Sequence, residues 1–305
     1  MLLPEWFSSA ETAVKVAVIA AFASLATSLL TVFHSVFGAP LRYWLEKKAL
    51  RNRLATEYEY QQRKDLRTLI GKYQGRMIEA AEAFNHRMWN FYANEGKGWL
   101  DVQQRYDQPG YYFKSWAYRL VNFLAVARQF EKEATFVDSR IAEKSDLEFI
   151  EYVKAFAWAT CDVALFEGLD HDPSHQKDHL FRDVLRAVCD ACFENGIFLD
   201  QDSVHQKLAR PPCDALYRFL DGLTKAEDRL RWDRLVVLHL LALAFLNMFG
   251  YDIQRSSQEQ FNEVSGQVRR DQVLLNLKTW LPKLGLAGQS GATIEKAIKY
   301  RTEVA

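Results

Sequence analysis

Helix breakers are scarce in this sequence. Fourteen glycines and seven prolines among 305 residues amount to about 7% of the chain against roughly 12% in average usage, so long uninterrupted helices fit better than a turn-rich all-β fold. Cysteine is sparse as well. Cys161, Cys189, Cys192 and Cys213 are too few to staple a chain of this length and fall in helix-like stretches, which excludes a disulfide scaffold and suits a reducing compartment. Net charge is missing: 39 basic side chains balance 39 acidic ones, which gives no strong nucleic-acid signal. No GxxxxGKS/T, GxGxxG or GxSxG pattern occurs, and GQSG at Gly288–Gly291 reads as a small-residue loop, so there is neither a nucleotide fingerprint nor a serine-nucleophile elbow. A fixed-period repeat is absent too, which argues against a solenoid. Disorder is excluded by composition, since 49% of residues are hydrophobic and 13% aromatic, enough to bury a core.

What the sequence has instead is one long apolar run. No charged residue interrupts Val16 to Leu41, and about 20 such residues cross a hydrocarbon core as a helix. Trp6 and Phe7 precede the run, and Tyr43 and Trp44 follow it, where interfacial aromatic belts sit. A cleaved signal peptide wants a basic start and a short apolar core, whereas Glu5 and Glu11 face a single Lys15 and the run is long. We therefore expect a flank over residues 1–11, one retained transmembrane helix over residues 12–40 and a charged juxtamembrane stalk helix over residues 41–70. Gly38 and Pro40 should break or kink the chain between helix and stalk. Arg42, Lys47, Lys48, Arg51 and Arg53 stand against Glu46 alone, so the positive-inside rule places the N-terminus outside and the remainder in the cytoplasm of a cell inner membrane. Residues 42–76 hold ten basic and four acidic side chains, net +6, which leaves −5 for residues 77–305. The basic stretch suits a surface of anionic headgroups.

The faces of the run differ. Alternating steps of four and three residues collect Ala13, Ala17, Ala20, Ser24, Thr27, Thr31, His34 and Gly38, while Val14, Val18, Phe22, Leu25, Leu29, Val32 and Val36 form a bulky opposite face. Helices in lipid associate through close backbone approach and hydroxyl hydrogen bonds, so the small seam predicts a homo-oligomer. Intramembrane polar groups face a bundle interior or a wet cavity, which makes Thr27, Thr31 and His34 candidates to line a pore.

Residues 71–305 read as an all-α cytoplasmic domain of about six to eight helices. Leu66, Ile70, Tyr73, Met77, Ala81 and Phe84 form one apolar face that should dock on the body. A helix is expected from Tyr112 to about Ile141. Ser145 with Glu148 forms a capping box for a helix through Phe166, with Gly168 as its C-cap; Asp172-Pro173 opens one that ends at Asn195-Gly196; Thr224 with Glu227 opens one that ends at Gly250. Residues 197–212 read as a longer connection. The 15-residue run LVVLHLLALAFLNMF inside the last of these helices is short of a span, contains His239 and follows RLRWDR, so a buried central helix is expected. Weaker helical patterns cover residues 258–281 and 293–302.

Candidate chemistry is thin. His175 and His179, at i and i+4 on a helix, could share a metal ion, though the first turn of that helix also wants the aspartates around it for its dipole. Glu79, Glu82 and His86 share a face and should pair with Arg76 or Arg87. Cys189 and Cys192 sit three apart, but a redox or zinc pair lacks its second half. Arg234-Leu-Val-Val-Leu-His239 has R-x4-H spacing and in those six residues resembles the HEPN-type ribonucleases, which are all-α. That resemblance implies that Arg234 and His239 cleave RNA across a dimer. It departs from the family at Leu235, a position usually polar there, and His239 in its apolar run also reads as a satisfied core histidine.

The first functional expectation is a non-enzymatic membrane effector or assembly protein that self-associates through its span, without cofactor, and answers a soluble partner or trigger. In layout it resembles the one-span-plus-helical-body membrane effectors of bacterial anti-phage systems, which implies membrane damage as its output. The alternatives are a membrane-anchored HEPN-like ribonuclease or metal-dependent hydrolase, and a passive scaffold whose exposed Trp89, Tyr92 and Trp99 hold a soluble partner.

Overall fold

The computed structural model describes residues 11–135, 142–171 and 178–304. The chain is all-α: ten α-helices and one two-stranded ribbon are found among the described residues. It divides into two compact units, one ending at Gln61 and the other beginning at Gln62.

Helix α1, Thr12–Asn94, supplies the described part of the first unit and enters the second. Pro40 lies inside it, so of the expected break or kink the break does not occur. A proline removes one rung of the hydrogen-bond ladder and crowds the carbonyl four residues back; between long runs of helix formers, that loss does not end the helix.

In the second unit, Leu66, Ile70, Tyr73, Met77, Ala81 and Phe84 of α1 are buried as their spacing predicts. After a 3-10 turn at Glu95–Lys97 and a loop come α2, Tyr111–Ala134, and α3, Lys144–Cys161. Phe84 stacks on Phe123 of α2 at 5.3 Å, and Phe123 lies 4.6 Å from Phe156 of α3. The cap of α3 is Glu143 with Asp146, two residues earlier than the expected Ser145 with Glu148. The helix stops at Cys161 because Asp162 turns extended and caps a separate 3-10 turn, Val163–Phe166, by accepting from Ala164 N.

Helix α4, Arg182–Ala191, is followed by strands β1, Phe193–Glu194, and β2, Ile197–Phe198. Asn195-Gly196 is therefore not a helix stop but a hairpin turn. Both residues take positive φ, 52° and 77°, the pair of left-handed conformations that a type I′ turn requires. The expected connection over residues 197–212 contains α5, Gln201–Leu208, capped by Asp200, which accepts from Asp202 N and Ser203 N. Helix α6, Ala215–Leu220, follows.

Helix α7, Arg231–Phe249, is the centre of the body: every residue from Arg231 to Leu246 is buried. It packs against α3 and against α8, Gln258–Ser265, and α10, Gln289–Val304, with α9, Asp271–Trp280, beside them. Its apolar run is thus core. It starts seven residues after Thr224, whose hydroxyl donates to Glu95 instead of capping.

Candidate functional site

The first unit is the most distinctive surface of the chain. Thr12–Val36 is a 25-residue stretch of high mean hydropathy, with Lys15 as its one charged residue, and none of its apolar window is buried in the fold. The seam residues Ala17, Ala20, Ser24, Thr27, Thr31 and His34 are all exposed, and so is the bulky face with Phe22, Leu25, Leu29 and Val32, apart from half-buried Val18. Such continuous apolar exposure far exceeds the few hundred Å² that soluble monomers leave bare.

Two of the seam's hydroxyls, Thr27 and Thr31, are satisfied within the helix, as is that of the neighbouring Ser28. Thr27 Oγ1 donates to Ala23 O, Thr31 Oγ1 to Thr27 O at 2.8 Å and Ser28 Oγ to Ser24 O at 2.8 Å. Their protons are used, so a neighbouring helix meets oxygen lone pairs and small side chains here. A hydroxyl already bonded within its own helix has less to offer a second helix than close backbone approach does. The His34 ring lies over Gly38, 3.5 Å from where a Cβ would stand. A shallow groove of about 990 Å³ runs past Thr27, Thr31, His34, Gly38 and Pro40.

One turn beyond Pro40, aromatic and basic side chains pair along the helix. Lys47 Nζ lies 5.8 Å from the Tyr43 ring and Lys48 Nζ 5.1 Å from the Trp44 ring. Both are i, i+4 neighbours held by cation–π attraction. Arg42, Arg51 and Arg53 are exposed alongside them. Aromatic rings and cations together form the chemistry of a headgroup layer.

No family model, curated protein or solved structure matches this chain. Function therefore rests on the geometry.

The enzymatic candidates are placed differently from what their spacing suggests. Arg234 and His239 are both buried in α7, five residues apart and hence on different faces. Arg234 donates to the carbonyls of Ala159 at 2.6 Å, Asp178 at 2.9 Å and Asp162 at 3.1 Å, and its guanidinium lies 4.3 Å from the Phe166 ring. Desolvation pulls its pKa down to about 10. His239 is held between Tyr92 OH at 3.0 Å and Asn85 Oδ1 at 2.8 Å, with the edges of Phe84 and Trp89 around it. Burial pushes its pKa down to about 3, so it is neutral at physiological pH. These two residues do not converge on one accessible point. They are satisfied core groups, and no sequence spacing distinguishes that from catalysis.

They belong to a polar hub. Four consecutive residues at the start of α7 sweep round the helix at about 100° each and tie it to Phe219 and Glu227, to the Gln267–Arg269 stretch, and to the carbonyls that Arg234 binds. Arg231 grips Glu227 through two 2.6 Å bonds and the Phe219 carbonyl at 2.5 Å. Trp232 Nε1 donates to Gln267 O at 2.8 Å, Asp233 Oδ1 accepts from Arg269 N at 2.6 Å, and Arg234 holds the carbonyls of Ala159, Asp162 and Asp178.

His175 lies outside the described residues. His179 lies before α4 and not in a helix, buried against Phe181 at 4.7 Å, so the i, i+4 argument for a shared metal does not apply to it. Among the described residues no group of three or more His, Cys, Asp or Glu could hold a metal ion. Cys189 and Cys192 are buried free thiols, and burial first, then each other's charge or that of other neighbours, pushes both pKa values up, the reverse of a reactive thiolate. Glu82 faces His86 at 3.8 Å and accepts from Gln254, while Arg87 turns inward to Ser115 Oγ at 2.7 Å. Of the three aromatics expected at a partner surface, only Trp99 is exposed; Trp89 and Tyr92 pack around His239.

Proposed function

We propose that this protein is anchored in a membrane by a single helical span over the first part of α1, self-associates through the seam from Ala17 to His34, and acts as a non-enzymatic membrane effector or assembly protein. The observation that carries the reading is the 25-residue stretch of high mean hydropathy at Thr12–Val36, none of its apolar window buried in the fold, followed by the Tyr43, Trp44, Lys47 and Lys48 pairs. At 1.5 Å per residue this stretch is about 37 Å long, sufficient for a hydrocarbon core of about 30 Å with some tilt. The basic excess after it supports an N-terminus outside and a cytoplasmic body, and membrane perturbation in anti-phage defence is the setting that this layout suits. Burial of Arg234 and His239 weighs against the ribonuclease alternative, and of the three aromatics named for a scaffold role Trp99 is the exposed one.

Expression of the full chain in bacteria tests this. The protein should stay in the membrane pellet after alkaline carbonate washing and should cause dye uptake. Ala20→Leu with Ser24→Leu should keep it in the pellet, lower chemical cross-linking between copies and reduce dye uptake. Release by carbonate would sink the anchor, and cross-linking unchanged in the double variant would remove the seam.

A further inference from the structure

Helices α2, α3 and α4 enclose a cleft with an outer chamber of about 310 Å³ and a small inner one of about 30 Å³. Arg128, Glu131, Val153 and Arg186 line both, so the two adjoin. The outer volume is at the low end of ligand sites, about 300–1,000 Å³. Its inner walls are apolar, with Leu124, Ala127, Ala157 and Leu185.

The charge lining it is one-sided. Arg128 from α2, Lys154 from α3, and Arg182 and Arg186 from α4 line the chambers, against Glu131 as the carboxylate among the lining residues. All four cations act electrostatically on that carboxylate, which shows that they converge; its desolvation is nevertheless the larger effect and raises its pKa. Arg128 reaches Glu131 only at 3.9 Å. Two acids stand outside the lining: Asp190, 3.6 Å from Arg128 and 3.3 Å from Lys132, and Asp183, 3.3 Å from Arg186. Convergence of four cations is notable on residues 77–305, which carry net −5. Like charges gathered at a half-closed apolar cleft repel unless an anion joins them.

We propose that this cleft binds a phosphomonoester carried on an apolar or planar body. A phosphomonoester has about −1.5 to −2 charges and three acceptor oxygens at pH 7. That matches several guanidinium forks better than a single carboxylate does, because each fork can bind two oxygens in parallel. The apolar inner walls take the body of the ligand. Such a molecule could be a soluble nucleotide or a lipid headgroup, and both present the same chemistry to the arginines. The site lies wholly within residues 62–305, so it stands or falls separately from the membrane anchor.

Titration calorimetry on the full chain in detergent tests the site with two probes, AMP and dihexanoyl phosphatidic acid, at constant ionic strength set with sodium chloride. Saturable binding of either supports the proposal, and the one that binds identifies the source. Arg182→Glu with Arg186→Glu should weaken it by at least about tenfold, the loss expected for one or two charge-assisted bonds. Lys154→Glu, on the α3 wall and exposed, should weaken it independently if the double variant fails to fold. Lys283→Glu, whose ammonium lies over Trp280 and which is not among the residues lining either chamber, should leave it unchanged. Absence of saturable binding with both probes at millimolar concentration, or wild-type affinity in the folded cleft variants, overturns the proposal.

Discussion

Two side chains on α7 titrate with opposite consequences. His239 has its pKa lowered by burial from 6.5 to about 3. Between those values the unfolded chain binds the extra proton, so stability rises with pH across the window and is lost as pH falls from about 6.5 towards 3. Asp233 is raised by burial from 3.8 to about 6, an effect that bonds and charges from Arg269 and Arg270 reduce. There the folded chain holds the extra proton, and stability is lost as pH rises through that interval. Each group contributes a limiting slope of about 1.4 kcal/mol per pH unit, so the two offset each other between about pH 4 and 6. Asp233→Asn should therefore expose an acid-sensitive melting temperature in that range, and adding His239→Gln to that variant should flatten it. Equal slopes in wild type and Asp233→Asn would show that the pair does not balance. Arg234 raises a different point, since it is the donor for three carbonyls. Arg234→Lys keeps the charge but not the fork and should destabilise the body by roughly 2–4 kcal/mol in urea unfolding, with Arg234→Leu costing at least as much because the carbonyls lose their partner.

At the scale of elements, Asp221 shows how one side chain shapes a loop. It ends α6 and accepts from Val102 N at 3.0 Å, Gln103 N at 3.1 Å, Gln104 N at 2.7 Å and Tyr106 OH at 3.2 Å. Gln103 and Gln104 sit at φ 51° and 62°, a region that non-glycine residues adopt only when their surroundings hold them there. Asp221→Asn turns one acceptor oxygen into a donor facing other donors. It should cost about 2–3 kcal/mol and open the loop from Gly98 to Gly110 to limited proteolysis, and an uncleaved loop in the variant would count against this account. Sequence periodicity reads the large elements well, because a repeat at 3.6 residues records burial directly: the α1 face from Leu66 to Phe84 and the buried run of α7 were legible. Caps were less so. Ser145, Thr224 and Asn195 each match a local motif, but Glu143 lies closer to the true start, Glu95 claims the Thr224 hydroxyl, and Asn195-Gly196 serves a hairpin. Local motifs compete for the same backbone, and tertiary partners decide between them. The cleft cations were illegible for a further reason, since Arg128, Lys154, Arg182 and Arg186 lie on three helices and meet only in space.

At the scale of the whole molecule, neutrality is a sum of unlike parts, with +6 over residues 42–76 and −5 over residues 77–305. On the proposed anchor, the positive block beside the apolar stretch is the orientation signal, since basic residues close to a span resist translocation. Lys15 is the single basic side chain on the other side, where Glu5 and Glu11 oppose it. Reversal of Lys47, Lys48, Arg51 and Arg53 to Glu removes four of the five positive charges nearest the stretch. These side chains are exposed, so the change should leave folding of the body intact while weakening the orientation signal. In spheroplasts, added protease should spare the wild-type body and digest a substantial fraction of the reversed variant, both remaining in the carbonate-resistant pellet. Digestion of the wild-type body would place it outside, and complete protection of the reversed variant would mean that the basic block does not orient the chain. Charge reversal also separates two roles of that block. A block that serves only orientation makes the dye uptake caused by correctly inserted variant molecules equal, per molecule, to that of wild type; one that also holds anionic headgroups makes uptake fall even in the protected fraction, because each basic residue near the surface contributes about 1 kcal/mol of attraction.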